Sequence, residues 1–436
     1  MDVLDRVRGC LLGGAIGDAL GAPIEFQSLR EIRREHGAEG ITGYVTTWRG
    51  RTGLITDDTQ MTLFTVEGLL EARTAHVNPP PSTSPGPTRP PTTPRHPLDE
   101  TTPAAHRAAG EGRAEEGRAG EAADRGPRAA SIGGAPDATE SGPGDTARGG
   151  PRGPMAGGGP RSAMARGGGP RGAMAGGDRE AAVGAVRQAY LRWLDTQRHR
   201  TPPPADRPHR TGWLRNESWL YSTRAPGNAC LSGLGRPFPG RSAWGEPGPV
   251  NPESKGCGTV MRSAPFGLIA LVPKEAFELA AACAQITHGH PTGYLAAGAF
   301  AAIVANLMTG EALAPAVHAA LELLSTYPGH DETSTALRAA LSLASTGAHS
   351  PEAVESLGGA WVAEEALAIG VYCALVEPSV DRALLLSVNH SGDSDSTGSV
   401  CGNLLGALHG ATALPTAWLR PLEGRDTIER LATALT

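Results

Sequence analysis

Apolar positions along this chain recur at three- and four-residue steps, the period of a helix with one buried face. In VLDRVRGCLLGGAIGDALG, Leu4, Val7, Leu11 and Ala15 keep that step. Gly9, Gly13, Gly14 and Gly17 interrupt the same segment, which is expensive for a helix unless another backbone packs very close. TQMTLFTVEGLLEA predicts a second helix. DREAAVGAVRQAYLRWLDTQ predicts a third, with Val183, Val186, Tyr190 and Trp193 on one face. Alanine-rich stretches at 275–286, 291–308, 312–326, 333–345, 351–357 and 361–376 continue the pattern, and SPEAVESL opens with the Ser-Pro-Glu chemistry of a helix start. No run alternates apolar and polar residues as a half-buried strand does. The expected fold class is all-α, a compact multi-helix domain.

Between 78 and 177 this pattern stops. The segment opens with PPPSTSPGPTRPPTTPRHP, passes through an Ala/Gly/Arg/Glu tract and ends in the near-repeat GPRGPMAGGGPRSAMARGGGPRGAMAGG. Large apolar residues almost vanish, so burial cannot offset the entropy of ordering it. It reads as a disordered insertion that interrupts one helical domain made of 1–77 and 178–436. Its basic GGPR units would suit RNA or an acidic partner, but composition favours the plain insertion.

Composition narrows the function classes. The chain has 436 residues, 39 basic and 45 acidic, with net charge −6. That balance gives no case for nucleic acid or an anionic membrane as main partner. Cys10, Cys230, Cys257, Cys283, Cys373 and Cys401 are dispersed, without a CxxC pair or a Cys/His metal spacing, as in a reducing compartment. MDVLDRVRGCLLGG carries acids and arginines where a signal peptide needs an unbroken apolar run, and no stretch approaches the ~20 apolar residues of a membrane span. A cytoplasmic monomer is expected.

The candidate chemistry lies in two acidic clusters. NHSGDSDSTGSVCGNLLGALHG sets Asp393 and Asp395 two residues apart, ahead of an apolar, small-residue helix. Asp393, Asp395, Thr397 and Gly398 fit the opening of a calcium EF-hand loop, but its twelfth position, which must be a bidentate glutamate, is Leu404. Helix capping accounts for one aspartate, not for two with Ser396 and Thr397 beside them. TGLITDDTQMTLFTVEGLL repeats the arrangement with Thr56, Asp57, Asp58 and Thr59. If both helix starts converge, four carboxylates meet in one pocket, and their repulsion needs divalent cations. Carboxylate and hydroxyl ligands select Mg²⁺, Mn²⁺ or Ca²⁺ over zinc or copper.

Six ordered motifs resemble the ADP-ribosylglycohydrolase family: GCLLGGAIGDALGAPIEF at 9–26, TDDTQMTLF at 56–64, APGNACLSGL at 225–234, SKGCGTVMRSAPFGL at 254–268, THGHP at 287–291 and GDSDSTGS at 392–399. The resemblance implies an all-α domain with two Mg²⁺ or Mn²⁺ ions. Thr56, Asp57 and Asp58 would be ligands from one helix start, and Asp393, Asp395 and Ser396 from the other. Glu25, seven residues after Asp18, matches a family glutamate near the metals and the scissile bond. The chain departs from the family pattern in its insertion and in the ESKGCG context.

Hydrolysis at the anomeric carbon of ADP-ribose passes through an oxocarbenium-like state, so the enzyme must place a water and move protons. The catalytic set is Glu25, Asp58 and Asp395, with Glu25 favoured for proton transfer because the aspartates would be committed to metal. For substrate, Gly256 and Gly258 in KGCGTVMR offer unobstructed N–H groups to a diphosphate at an expected helix entrance. Thr259 belongs to the same motif, and the resemblance makes His288 a substrate contact. Arg262 either neutralises phosphate or braces the loop. Asn228 either contacts substrate or forms a turn, and His390 is given no role. The partner expected is an ADP-ribosylated protein side chain, nucleobase or small molecule. The alternatives are a non-catalytic ADP-ribose-binding or structural protein, and an enzyme acting on another nucleoside diphosphate sugar.

Overall fold

The computed structural model describes residues 2–46, 50–77 and 176–436. Within them lie α1 (Val3–Gly21), α2 (Leu29–His36), α3 (Asp57–Val77), α4 (Gly176–Arg198), α5 (Asn228–Leu234), α6 (Ala264–Leu268), α7 (Pro273–Ala284) and α8 (Pro291–Met308). They continue with α9 (Leu313–Leu324), α10 (Asp331–Ser345), α11 (Pro351–Glu355), α12 (Ala363–Val376), α13 (Val380–Val388), α14 (Ser394–His409), α15 (Thr416–Leu419) and α16 (Arg425–Leu435). Among the described residues there is no strand; a single antiparallel bridge joins Gly256 to Val362. The fold is all-α, as its periodicity predicts.

The glycines of α1 explain how the frame is built. They face the small residues of α14, and the two helices run antiparallel. Gly9 lies against Gly406, Gly13 against Gly402, Gly17 against Gly398, and Gly21 against Ser394 and Asp395. A Cβ added to Gly17 would lie 1.9 Å from the carbonyl oxygen of Gly398, so no side chain fits there. Glycine costs a helix about 0.5–1 kcal/mol per position. Close backbone packing offsets that cost along the whole ladder. Asn403 locks the pair by donating its Nδ2 to the Cys10 carbonyl at 2.7 Å. The geometry therefore brings the start of α14 to the end of α1.

On the other side of the core α3 packs on α4, the helices that flank residues 78–175. Arg192 is fully buried; its Nε donates to Glu67 at 2.8 Å, and its guanidinium also pairs with Glu71. The Thr65 and Tyr190 hydroxyls share a hydrogen bond of 2.8 Å, and Gly68 meets the backbone of Val186. The described residues on both sides of the expected insertion belong to one compact unit. The expected disorder at 78–177 lies outside the described residues, except that Gly176 and Gly177 form the first turn of α4.

Pro291–Met308 is an exception to the membrane reading, being long and apolar enough to cross a bilayer. It is 83% buried inside the protein, packed on α7 and α9, so its apolarity serves the core. Helices α2, α5, α6, α13, α15 and α16 lie outside the periodic stretches of the sequence reading. In α2 only Leu29 and Ile32 are buried, too few to give a pattern, and a Ser28–Glu31 capping box fixes its start instead.

Candidate metal centre and active site

Both acidic clusters sit at helix starts, and the α1–α14 ladder brings those starts together. At α3 the turn is clamped from outside. Asp18, buried in α1, accepts from Thr56 N at 2.9 and 3.0 Å, from Thr59 N at 3.1 Å and from Thr59 Oγ1 at 2.5 Å. Thr56 Oγ1 accepts from Asp58 N at 3.2 Å, an N-cap bond, and Asp57 N donates to the Arg224 carbonyl at 3.0 Å. At α14 the turn caps itself. Ser396 N donates to Asp393 Oδ1 at 3.3 Å and to Asp395 Oδ1 at 3.0 Å. His390 braces this turn through Thr397, with Nε2 and Oγ1 2.9 Å apart.

Glu25 follows the end of α1 and completes the group. Carboxylate oxygens of Glu25, Asp393 and Asp395 all lie within 4.8 Å of one another. Asp57, Asp58, Asp393, Asp395, Thr56, Ser396 and Glu25 are all buried. Burial, and then the Asp395, Asp57 and Asp18 charges, push Glu25 up to about 9. Burial lifts Asp57, Asp58 and Asp395 well above the carboxylate range, with neighbouring carboxylates adding to it. Asp393 and Asp18 rise to about 6, again through burial, against hydrogen bonds that favour their ionised forms.

The residues fit a cation. Among the described residues no lysine, arginine or histidine is ion-paired to the four aspartates or Glu25, and only acidic charges dominate their surroundings. Asp58 Oδ2 is buried without a hydrogen-bond partner. An orphaned carboxylate oxygen costs several kcal/mol unless an ion or proton satisfies it. The donor set is oxygen throughout, suited to hard divalent ions.

The glycine motif lies on a single 3₁₀ turn, Cys257–Thr259, rather than at a long helix entrance. The His288 ring packs behind it: a Cβ on Gly256 would meet Nε2 at 3.4 Å, and one on Gly258 would meet Cε1 at 3.1 Å. Burial and Arg262 hold His288 down at about 3, so its ring is neutral. Thr259 Oγ1 donates to the Gly293 carbonyl at 2.8 Å, tying the turn to α8. Arg262 is fully enclosed: it donates to Thr287 Oγ1 at 2.6 Å and lies 4.5 Å over the Tyr190 ring. Of its two readings, bracing is the one the contacts bear out. Asn228 is exposed in the first turn of α5.

A cleft of about 480 Å³ opens beside the acids, lined by Glu25, Phe26, Thr56 and Arg224 among others. The Arg224 guanidinium is committed to Glu423 and the Ile55 carbonyl. Phe26, 75% exposed, stacks on Trp361, 47% exposed, with centroids 5.8 Å apart. Sequence reasoning passed over Asp18 as a positioning residue. Its signal was an ionisable side chain inside a glycine-rich apolar helix, which must find partners.

Buried carboxylates and hydroxyls at two helix starts of an all-helical frame define a helical protein with an acidic, oxygen-donor centre. The family model for ADP-ribosylglycohydrolase matches residues 1–164 and 161–436, and the chain belongs to that family. An uncharacterized protein of Archaeoglobus fulgidus is 28% identical over 181 residues, 41% of this chain and 57% of its own length. ADP-ribosylhydrolase ARH3 of Homo sapiens is 30% identical over 95 residues, 19% of this chain and 26% of its own length. ADP-ribosyl-(dinitrogen reductase) glycohydrolase of Rhodospirillum rubrum is 48% identical over 63 residues, 14% of this chain and 21% of its own length. The chain thus spans between 21% and 57% of these relatives. A solved ADP-ribosylglycohydrolase-related protein complex aligns with a TM-score of 0.49 at 19% identity, covering 99% of this chain and 97% of that one.

Proposed function

We propose that the protein is a metal-dependent hydrolase that cleaves the glycosidic bond between ADP-ribose and an acceptor. The observation that carries this reading is that Glu25, Asp393 and Asp395 oxygens lie within 4.8 Å of one another, with buried Asp57 and Asp58 close enough to act on the group electrostatically and no cationic partner among the described residues. Family membership supplies the substrate class. The names of the human and Rhodospirillum relatives point the same way.

In this reading Thr56, Asp57 and Asp58 from α3, with Asp393, Asp395 and Ser396 from α14, hold two Mg²⁺ or Mn²⁺ ions. When bound, these ions orient the ribose hydroxyls, neutralise the acids and make a bound water more acidic. Glu25 lies at the edge of the same group and is the only one of the five carboxylates outside both helix starts. It takes the proton of the attacking water as the water oxygen bonds the anomeric carbon and the bond to the acceptor breaks. The leaving atom receives a proton from Glu25 or from solvent. Asp58 and Asp395 act as metal ligands that set the water and sugar relative to Glu25. Gly256 and Gly258 turn backbone N–H groups toward the diphosphate, and Thr259 and neutral His288 keep that turn in shape.

The test is ADP-ribose release from a panel of ADP-ribosylated arginine, serine, nucleobase and small-molecule substrates, with Mg²⁺, Mn²⁺ or excess chelator. Release from at least one acceptor that stops in chelator is the expected result. Turnover undiminished by chelator defeats the metal-dependent reading. Binding of ADP-ribose without release from any acceptor favours a reader instead.

A further inference from the structure

The glycine turn is backed by a buried cation that has no carboxylate. Arg262 is fully buried, and among the described residues its guanidinium meets the Tyr190 ring, Cys230 Sγ at 3.2 Å, Met61 Sδ at 3.4 Å and Thr287 Oγ1 at 2.6 Å. A guanidinium buried without a counter-charge is expensive to keep, and an apolar side chain of similar length would brace the same place. Arginine can only donate, so Thr287 Oγ1 accepts from it and has one proton of its own to give. Two acceptors compete for that proton: His288 Nδ1 at 2.8 Å and the Ala284 carbonyl at 3.5 Å. The shorter contact wins. Nδ1 is then the bare, accepting nitrogen, and the ring proton sits on Nε2. Burial, and with it the Arg262 charge, opposes a second ring proton.

Nε2 faces the turn. His288 is buried, and a Cβ at Gly256 or Gly258 would lie 3.4 or 3.3 Å from Nε2. Glycine at both positions leaves that nitrogen uncovered. Among the described residues the ring makes one hydrogen bond, the one at Nδ1. We propose that Arg262 is a positioning residue that acts through Thr287, holding His288 with its proton on Nε2 so that the ring donates to an oxyanion at the Gly256–Gly258 turn. The opposite tautomer would present a lone pair there and repel the same oxygen. The lock itself needs no metal; its use rests on the diphosphate reading of the turn given above.

The experiment labels the histidines of the full chain with ¹⁵N and reads each ring's tautomer from proton–nitrogen correlations at neutral pH. The His288 signals are those missing from His288→Gln. In the wild type Nε2 should be protonated and Nδ1 bare. Arg262→Met frees the Thr287 hydroxyl to accept from Nδ1, and Thr287→Val removes that hydroxyl. Each should lower the ratio of the Nε2–H to the Nδ1–H form about fivefold, and Thr287→Ser should restore it. Both variants should bind ADP-ribose about fivefold more weakly, with Mn²⁺ affinity within about twofold of the wild type. A wild-type ring with its proton on Nδ1, or with both nitrogens protonated, overturns the proposal without any variant. An unchanged ratio in Thr287→Val also overturns it, and that variant with its serine rescue decides alone if Arg262→Met fails to fold. The two readings separate cleanly. The expected tautomers without ADP-ribose binding remove the diphosphate reading and leave the lock standing; ADP-ribose binding by a wild type with the other tautomer removes only the lock.

Discussion

The starts of α3 and α14 carry the same chemistry, two aspartates with neighbouring hydroxyls, yet they are held differently. The α3 start hangs on Asp18, a side chain of another helix that receives four hydrogen bonds from Thr56 and Thr59. At the α14 start the capping carboxylates come from the turn itself: Asp393 and Asp395 accept from Ser396 N, although Asp393 N is also held by the Gly359 carbonyl. Half of the acidic sequence at α14 is therefore the cap it resembles, while at α3 the cap is Thr56 and neither aspartate is used for capping; Asp57 instead accepts from Gly227 N at 3.4 Å. A carboxylate at a helix start is thus no single signal. What separates cap from ligand is whether another group already satisfies the orphan N–H groups.

The largest expected effect comes from parting the two starts. Gly17→Ala forces a methyl into the Gly398 carbonyl, beyond the 1–3 kcal/mol usual for overpacking and so above about 3 kcal/mol. Thermal melting and Mn²⁺ binding should both collapse. Gly184→Ala, in open space on α4, should be neutral or slightly stabilising. Equal melting temperatures for the two variants would mean that the ladder does not assemble the site.

Asp57→Asn and Asp395→Asn come next, one from each start. Each should lower ADP-ribose release by roughly two orders of magnitude, and the double variant should be little worse, because residues serving one centre act as a unit. Without metal each should be neutral or stabilising, since a repelling buried charge is gone; with Mn²⁺ each should melt below the wild type. Wild-type turnover by either would break the pairing of the two starts.

Asp18→Asn sharpens the contrast between clamp and ligand. It keeps the size but presents an N–H where Thr56 and Thr59 donate, at a cost of about 1–3 kcal/mol. The loss should have the same sign with and without metal. A stabilised metal-free Asp18→Asn would place Asp18 among the repelling ligands instead.

Proton linkage tests the group as a whole. Unfolded carboxylates titrate near 4. In the fold Asp18 and Asp393 are raised to about 6 and Glu25 to about 9. The folded state therefore holds more protons than the unfolded chain between these values, and metal-free stability should fall as pH rises from about 4 to 9. Saturating Mg²⁺ or Mn²⁺ should flatten the slope in melting curves. A metal-free protein that gains stability over that range contradicts it.

The smallest effect is expected from replacing residues 79–175 with a short Gly/Ser linker. The contacts of Arg192 with Glu67 and of Tyr190 with Thr65 already join the flanking helices. Loss of soluble, helical protein would break the reading of one interrupted domain.

Much of this was legible from local pattern. The helices from α7 to α12 announce themselves by periodicity, and the glycines of α1 require a close backbone even before the partner is known. Both acidic starts could be read because cap and ligand residues cluster in sequence. Asp18 could not be assigned in the same way: its partners lie 38 and 41 residues further along, and no local spacing links them. Arg262 remained open between phosphate and brace until its contacts with Thr287 and Tyr190 were seen. The thin helix α2 escaped because two buried side chains make no period.

The ladder between α1 and α14 also sets a timetable. Asn403 reaches back to Cys10 across 393 residues, so the first helix emerges from the ribosome with its glycine face bare. At translation rates of about 5–20 residues per second it waits on the order of 20 to 80 seconds for its partner. Until α14 arrives, the acids of α3 have no opposite number and no centre can form. A nascent chain stalled before residue 390 should therefore be unable to retain the ions of the proposed centre. Closing a loop of that length costs chain entropy before the α1–α14 contacts can reward it.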